Sequence, residues 1–213
     1  MVAEELTENE LPPSKPIPTQ ARARLKRDAL IAAATEDFKH LGYESTTAKS
    51  IANRAEVATG TFYQYFHNKD DMLRVIARER LEQLSQQFEE QESRLPLTDI
   101  TALLKHNLAL VFTFHEEAPE LHQVLEQRRH CDPHLQEILK QGEVILSQQV
   151  LDFVKTFNVE DPEAVAFSLF AMSEGLAHHH LSQVIQGIAP PSEPIITLGA
   201  EMLASYFKEQ TRK

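Results

Sequence analysis

The sequence predicts an all-α protein: an N-terminal three-helix unit built on a helix-turn-helix, then a larger helical domain, with about nine helices in total. Two observations carry this expectation. Apolar residues recur at three-and-four spacing through almost the whole chain, and alternating β-branched runs are few. Pro96, Pro119, Pro133, Pro162 and Pro194 fall where helices would begin, the helical position at which a missing N–H costs nothing. With 42% hydrophobic and 25% charged residues among 213, the chain has ordinary globular composition and enough length to bury a core.

Residues 1–20 contain Pro12, Pro13, Pro16 and Pro18 among polar neighbours. So little apolar area cannot offset ordering entropy, and a disordered tail is expected. Helices are then expected at 24–40, 47–54 and 58–66, within a first domain of residues 21–68. Leu30, Ala34, Phe38 and Leu41 share one face of the first, and Gly42 ends it in the left-handed conformation that glycine adopts at little cost. Thr46 is the expected N-cap of the second helix, whose Ile51, Ala52 and Ala55 form a narrow stripe of small residues that permits close helix approach. Val57 fills the turn. In the third helix Phe62 and Phe66, at i and i+4, point inward and turn Thr61, Gln64 and Tyr65 outward.

The second domain, residues 69–213, is expected to hold helices at 69–91, 98–116, 118–129, 133–156, 161–186 and 193–210. Leu73, Ala77, Leu81, Leu84 and Phe88 give the first of these one continuous apolar face, long enough to bridge the two domains. Val165, Phe167, Leu169, Phe170, Met172 and Leu176 cover more than one face of 161–186, while Ile195, Leu198, Met202 and Tyr206 line 193–210. Two such helices can pair with their copies across a two-fold axis, so a homodimer through 161–186 and 193–210 is expected.

Charge is unevenly spread. Between Gln20 and Lys69 eight basic side chains face five acidic ones, a balance of +3 that leaves −14 for the remainder of a chain whose total is −11. One end can approach a polyanion while the acidic body stays away from it. The third helix suits that polyanion's groove. Gly60 lets the backbone come close, Gln64 can pair bidentately with adenine, and Thr59 and Thr61 can reach a base edge or a thymine methyl. Lys69 and the hydroxyls of Tyr63 and Tyr65 suit phosphate oxygens. The run Arg22, Arg24, Lys26 and Arg27 is either a solvated surface or a contact to neighbouring phosphates or the minor groove.

Three stretches carry a family resemblance: Thr47-Ala-Lys-Ser-Ile-Ala52, Ala55-Glu-Val-Ala-Thr-Gly-Thr-Phe-Tyr-Gln-Tyr-Phe66 and Lys69-Asp-Asp-Met-Leu73. Over about residues 24–76 the chain resembles the DNA-binding domain of the tetracycline-repressor (TetR) family. The resemblance implies phosphate contacts from Thr47, Tyr63, Tyr65 and Lys69 and a base-reading face of Thr59, Gly60, Thr61 and Gln64, and Lys49 joins this expected DNA-binding set. Ala48 stands where several members have Arg. The resemblance further implies a homodimer on a palindromic double-stranded DNA operator and a pocket in the second domain. The expected function is a repressor modulated by an unknown hydrophobic or amphipathic small-molecule effector. The alternatives are a metal-responsive regulator and a helical protein-binding adaptor without DNA function.

Other chemistries find little support. No His has Glu three residues before it, and there is neither a Gly-rich phosphate loop nor a G-x-S-x-G elbow, so no enzyme and no cofactor are expected. His130-Cys-Asp-Pro-His134 with His122, and the run His178-His179-His180, offer metal-ligand types. Pro133 breaks the first spacing and consecutive histidines on a helix diverge, so no metal site is assigned. The single Cys131, the lack of a basic start with an apolar stretch, and the absence of a long apolar run point to a cytoplasmic chain that does not meet the membrane.

Overall fold

A computed structural model describes residues 15–92, 99–157 and 159–210. Among these residues there are nine helices and no strand: α1 (Ala21–Ser45), α2 (Ala48–Arg54), α3 (Thr59–Tyr65), α4 (Lys69–Glu92), α5 (Ile100–Glu116), α6 (Pro119–Arg129), α7 (Pro133–Lys155), α8 (Pro162–Ile185) and α9 (Ser192–Gln210). Pro119, Pro133 and Pro162 all open their helices, as their missing N–H favours, whereas Pro96 and Pro12 lie outside the described residues. Three aspartates supply the caps. Asp99 accepts from the Ala102 amide at 3.0 Å, Asp132 from the His134 and Leu135 amides at 3.0 and 3.1 Å, and Asp161 from the Ala164 amide at 3.1 Å.

α1 departs from expectation at its C-terminal end. Gly42 takes φ +72° with extended ψ, and the chain resumes a helical turn that reaches Ser45. Tyr43 then stacks on Phe38 with ring centroids 6.0 Å apart, occupying the inner position expected for Leu41, which is left 45% exposed. Thr46 is not the cap of α2. It is fully buried and its hydroxyl donates to the Gly42 carbonyl at 2.7 Å, closing the α1 break, while Thr47 takes the N-cap position.

Two cores organise the chain. The first joins Leu30, Phe38, Ile51, Phe62 and Phe66 of α1–α3 and the loop after α3 to Met72 and Ile76 of α4, Leu121 of α6 and Leu135 of α7. The helix-turn-helix therefore shares its interior with the body. The second gathers Leu103, Phe112, Phe153, Leu169, Ala200 and Phe207 from α5, α7, α8 and α9. α4 runs between the two, with Met72 and Ile76 in the first core and Phe88 against the second. Lys15–Gln20 precede α1 without regular structure, and the remainder of the expected tail lies outside the described residues.

Candidate DNA-binding surface and inner cleft

The placement of α2 and α3 follows from local bonding. Thr47 Oγ1 accepts from the Ser50 amide at 3.0 Å and Ser50 Oγ accepts from the Thr47 amide at 2.9 Å, a reciprocal cap that fixes where α2 begins. Because Thr47 Oγ1 is used as an acceptor, its hydroxyl proton stays free to meet an external oxygen. Arg54 pairs with the buried Asp37 and ties α2 to α1. Glu56 then adopts φ 55° and the Val57 amide donates to the Ala52 carbonyl at 3.0 Å, forming the tight link to α3. Phe62 and Phe66 are buried with centroids 5.6 Å apart, which sets the rotation of α3 about its axis.

Thr47, Lys49, Gly60, Tyr63 and Gln64 are consequently exposed, and Thr59 and Thr61 are half-buried beside them. Tyr63 is 52% exposed, its ring edge against Phe62 and its carbonyl accepting from Lys15. Among the described residues no intramolecular hydrogen bond engages the Gln64 amide. A Cβ at Gly60 would meet nothing within 4 Å, so no neighbour among the described residues requires glycine there. Tyr65 and Lys69 differ from this group. Tyr65 is half-buried against the first core, and Lys69 Nζ lies 2.9 Å from the Tyr43 carbonyl and 4.1 Å from the Tyr43 ring centroid. The Tyr43 hydroxyl donates to Asp70, and burial, reinforced by that hydrogen bond, pushes its pKa well up.

The basic run divides in the same way. Arg22, Arg24 and Lys26 are exposed, with Arg24 donating to the Pro18 carbonyl at 2.8 Å. Arg27 belongs to neither expected class: it is buried, 2.8 Å from Glu79 of α4 and stacked over Phe66 at 5.7 Å, so it joins helices.

The region that forms this surface, residues 30–76, matches the family described as bacterial regulatory proteins, tetR family. This N-terminal unit is therefore similar to the TetR family. Among curated relatives, the HTH-type transcriptional regulator HbdR of Aromatoleum sp. (strain CIB) is 41% identical over 66 residues, 31% of this chain and 29% of that protein. The fatty acid metabolism regulator protein of Bacillus subtilis (strain 168) is 36% identical over 92 residues, 43% of this chain and 44% of that protein. The chain thus spans less than half the length of these relatives in the matched stretches. Likeness of fold reaches further. The solved structure of the fatty acid degradation regulator FadR from Bacillus halodurans superposes with a TM-score of 0.66 at 22% identity, over 84% of this chain and 94% of that one.

In the helical body, α4, α5, α7 and α8 enclose an inner cleft with about 650 Å³ of empty space, counting the part open to solvent. Its walls are mostly apolar, among them Phe88, Leu104, Val111 and Phe153, with Asn107, Gln149 and Glu174 as polar points. Gln149 is held by Ser85 Oγ at 2.9 Å and Glu89 at 3.1 Å. A second chamber adjoins it, sharing Leu84, Leu146, Phe170 and Glu174, and is more polar, with Arg80, Glu126, Arg129 and Glu143 in its wall. Burial holds the Arg80 pKa below its usual value, and its guanidinium donates to the Phe114 carbonyl at 2.6 Å.

The histidines sort differently from their sequence neighbours. His130, Cys131 and His134 are exposed. His180 is buried, 2.9 Å from Glu116 and 2.8 Å from the Pro190 carbonyl, so it anchors the α8–α9 link. His122 instead meets His115 and His178 from two other helices, with ring centroids 4.7 to 4.9 Å apart. No linear spacing marks this group. Its one local signal is Glu174 four residues before His178, which places both on one face of α8.

Proposed function

We propose that the chain is a cytoplasmic, homodimeric repressor whose grip on a palindromic operator is loosened by a hydrophobic or amphipathic small molecule held in the inner cleft. The observation that carries the DNA reading is the outer side of α3, where Gly60 has open space and the Gln64 amide lacks a partner among the described residues. In the major groove Gln64, Thr59 and Thr61 would read bases, while Thr47, Lys49, Tyr63 and the exposed Arg22 and Lys26 would meet phosphates. Tyr65 and Lys69 would brace α3 and present what remains of their polar ends. No catalytic step belongs to this reading.

Two-fold pairing is supported by the apolar residues left on α8 and α9. Phe167 of α8 is 75% exposed, and Met172 and Met202, 46% and 62% exposed, line a groove together with Val165, Leu203 and Tyr206. Adjoining apolar side chains of this size are seldom left in water. The effector reading is supported by the cleft and by α4. Leu84 and Phe88 line the cleft, whereas Lys69 and Asp70 at the other end of α4 hold Tyr43 next to α2. Little of the empty space is wide enough for water, so an occupant must spread the helices as it enters. Filling the cleft and moving α4 would then be one event, and two recognition helices spaced about 34–36 Å apart would lose register with successive grooves. The names of the two similar Bacillus proteins, which concern fatty acid metabolism and degradation, make fatty acyl compounds the first class to test.

Operator selection from randomised duplexes, followed by anisotropy titration with and without fatty acids and acyl thioesters, tests both halves. Binding with a steep salt dependence and an effector-induced loss of affinity are expected. Absence of binding to any duplex at low salt would remove the DNA reading. An acyl compound that binds tightly yet leaves operator affinity unchanged would remove the coupling.

A further inference from the structure

We propose that His115, His122 and His178, with Glu174 beside them, form a binding site for one divalent transition-metal ion of the zinc, nickel or cobalt class. The three side chains come from α5, α6 and α8, and each brings a ligating ring nitrogen within 4.8 Å of the others. His115 has its tautomer set from behind. Its Nδ1 lies 2.8 Å from the Val111 carbonyl and donates to it, which leaves a lone pair on Nε2. That Nε2 is 3.8 Å from Glu174 Oε2, and His178 Nε2 is 3.4 Å from the same oxygen. His122 Nε2 is buried and has no hydrogen-bond partner among the described residues.

An uncharged cluster of this kind is poorly matched to itself. The lone pair of His115 faces a carboxylate, and a buried ring nitrogen on His122 is unused, although unsatisfied buried polar atoms cost about 1–3 kcal/mol each. A cation among the rings answers both at once, since imidazole nitrogens and one carboxylate are the donors such ions prefer. The surroundings tolerate positive charge. Arg80 and Arg129 face the chamber, and Glu126, Glu143 and Glu174 outnumber them, with Arg129 already paired to Glu126 and Glu143 at 3.2 and 3.1 Å. A tetrahedral ion with bonds near 2.0–2.1 Å needs donors roughly 3.3 Å apart, so the rings would draw inward by about 1 Å. His178 is exposed and can make that move.

The site stands independently of DNA binding and of any acyl effector, and its test uses neither. The full chain is stripped with a chelator and titrated with Co²⁺ while visible absorption is followed. One Co²⁺ per chain, displaced by Zn²⁺, is expected. His178→Gln and Glu174→Gln should each weaken binding by about tenfold or more. His130→Gln and His179→Gln should leave it unchanged, and helical circular dichroism checks that every variant folds. Absent or substoichiometric binding would overturn the site, and so would a folded His178→Gln that binds Co²⁺ as tightly as the parent. In that outcome the cluster is a hydrogen-bonded His–Glu group and nothing more.

Discussion

Gly60 lies inside a helix without positive φ and with open space where a side chain would begin. Glycine there costs about 0.5–1 kcal/mol relative to alanine, and nothing inside the chain returns that energy. Gly60→Ala should therefore raise stability by up to about 1 kcal/mol in urea denaturation while weakening operator binding in anisotropy titrations. A variant that gains stability and keeps full affinity would show that the backbone of α3 does not approach DNA closely. Tyr63→Phe removes one exposed hydroxyl and leaves the ring on Phe62. If that hydroxyl meets phosphate, affinity should fall by a similar factor for operator and random duplex alike, so an operator-selective loss would contradict it. These two positions were legible because the inward turn of Phe62 and Phe66 fixes the opposite side by helical geometry alone. Lys69 and Tyr65 were less so, since the groups that engage them, Tyr43 and the shared core, come from helices distant in sequence. Of the histidine cluster, His122 and His178 stood out in the sequence only as ligand types, and their meeting with His115 was not legible, because tertiary packing alone brings α5, α6 and α8 together at that point.

Among elements, α7 shows how one residue joins local and tertiary structure. Asp132 caps α7 through the His134 and Leu135 amides and also pairs with Arg74 of α4 at 2.8 Å, both partners being well buried. Burial alone would raise the Asp132 pKa, but the hydrogen bonds from Arg74 and Leu135 and the Arg74 charge hold it below its ordinary value. A carboxylate pKa depressed by folding contributes stability above its unfolded value, near 3.9, and loses it as pH falls through the folded value. Asp132→Asn keeps an oxygen for the cap but leaves Arg74 unpaired. It should cost about 3 kcal/mol at pH 7, with the gap to the parent narrowing below about pH 4. Urea denaturation at several pH values measures this, and a gap independent of pH would exclude the ion pair as its source. The helix itself was readable from Pro133 and its apolar spacing, as were the other helices to within a few residues. The misreadings cluster at the α1–α2 junction, where Gly42 permits a further turn and two adjacent threonines compete for one cap. Periodicity cannot decide that contest, and the burial of Thr46 does.

At the scale of the whole molecule, the charge split and the uncovered apolar surface make a joint demand. The basic end carries only about +3 against −14 for the rest of the chain, so one copy alone has little electrostatic hold on a polyanion. A two-fold pair doubles the phosphate contacts and matches two half-sites. Phe167, at 75% exposure on α8, lies where such a pair would meet and contributes nothing to either core. Phe167→Glu should therefore leave the melting temperature of the isolated chain nearly unchanged, because an exposed side chain has no buried area to lose. Across a two-fold interface the same change buries one glutamate from each copy, and an unpaired buried charge is strongly unfavourable. Sedimentation equilibrium should show the parent as a dimer and the variant as a monomer. The slope of log K against log salt for operator DNA should fall by about half, since it scales with the number of phosphates neutralised. A parent that sediments as a monomer, or a variant that remains dimeric, would place the two-fold elsewhere. A variant that is monomeric yet keeps the full slope would mean that one helix-turn-helix makes all the phosphate contacts, and the palindrome would then have no structural reason.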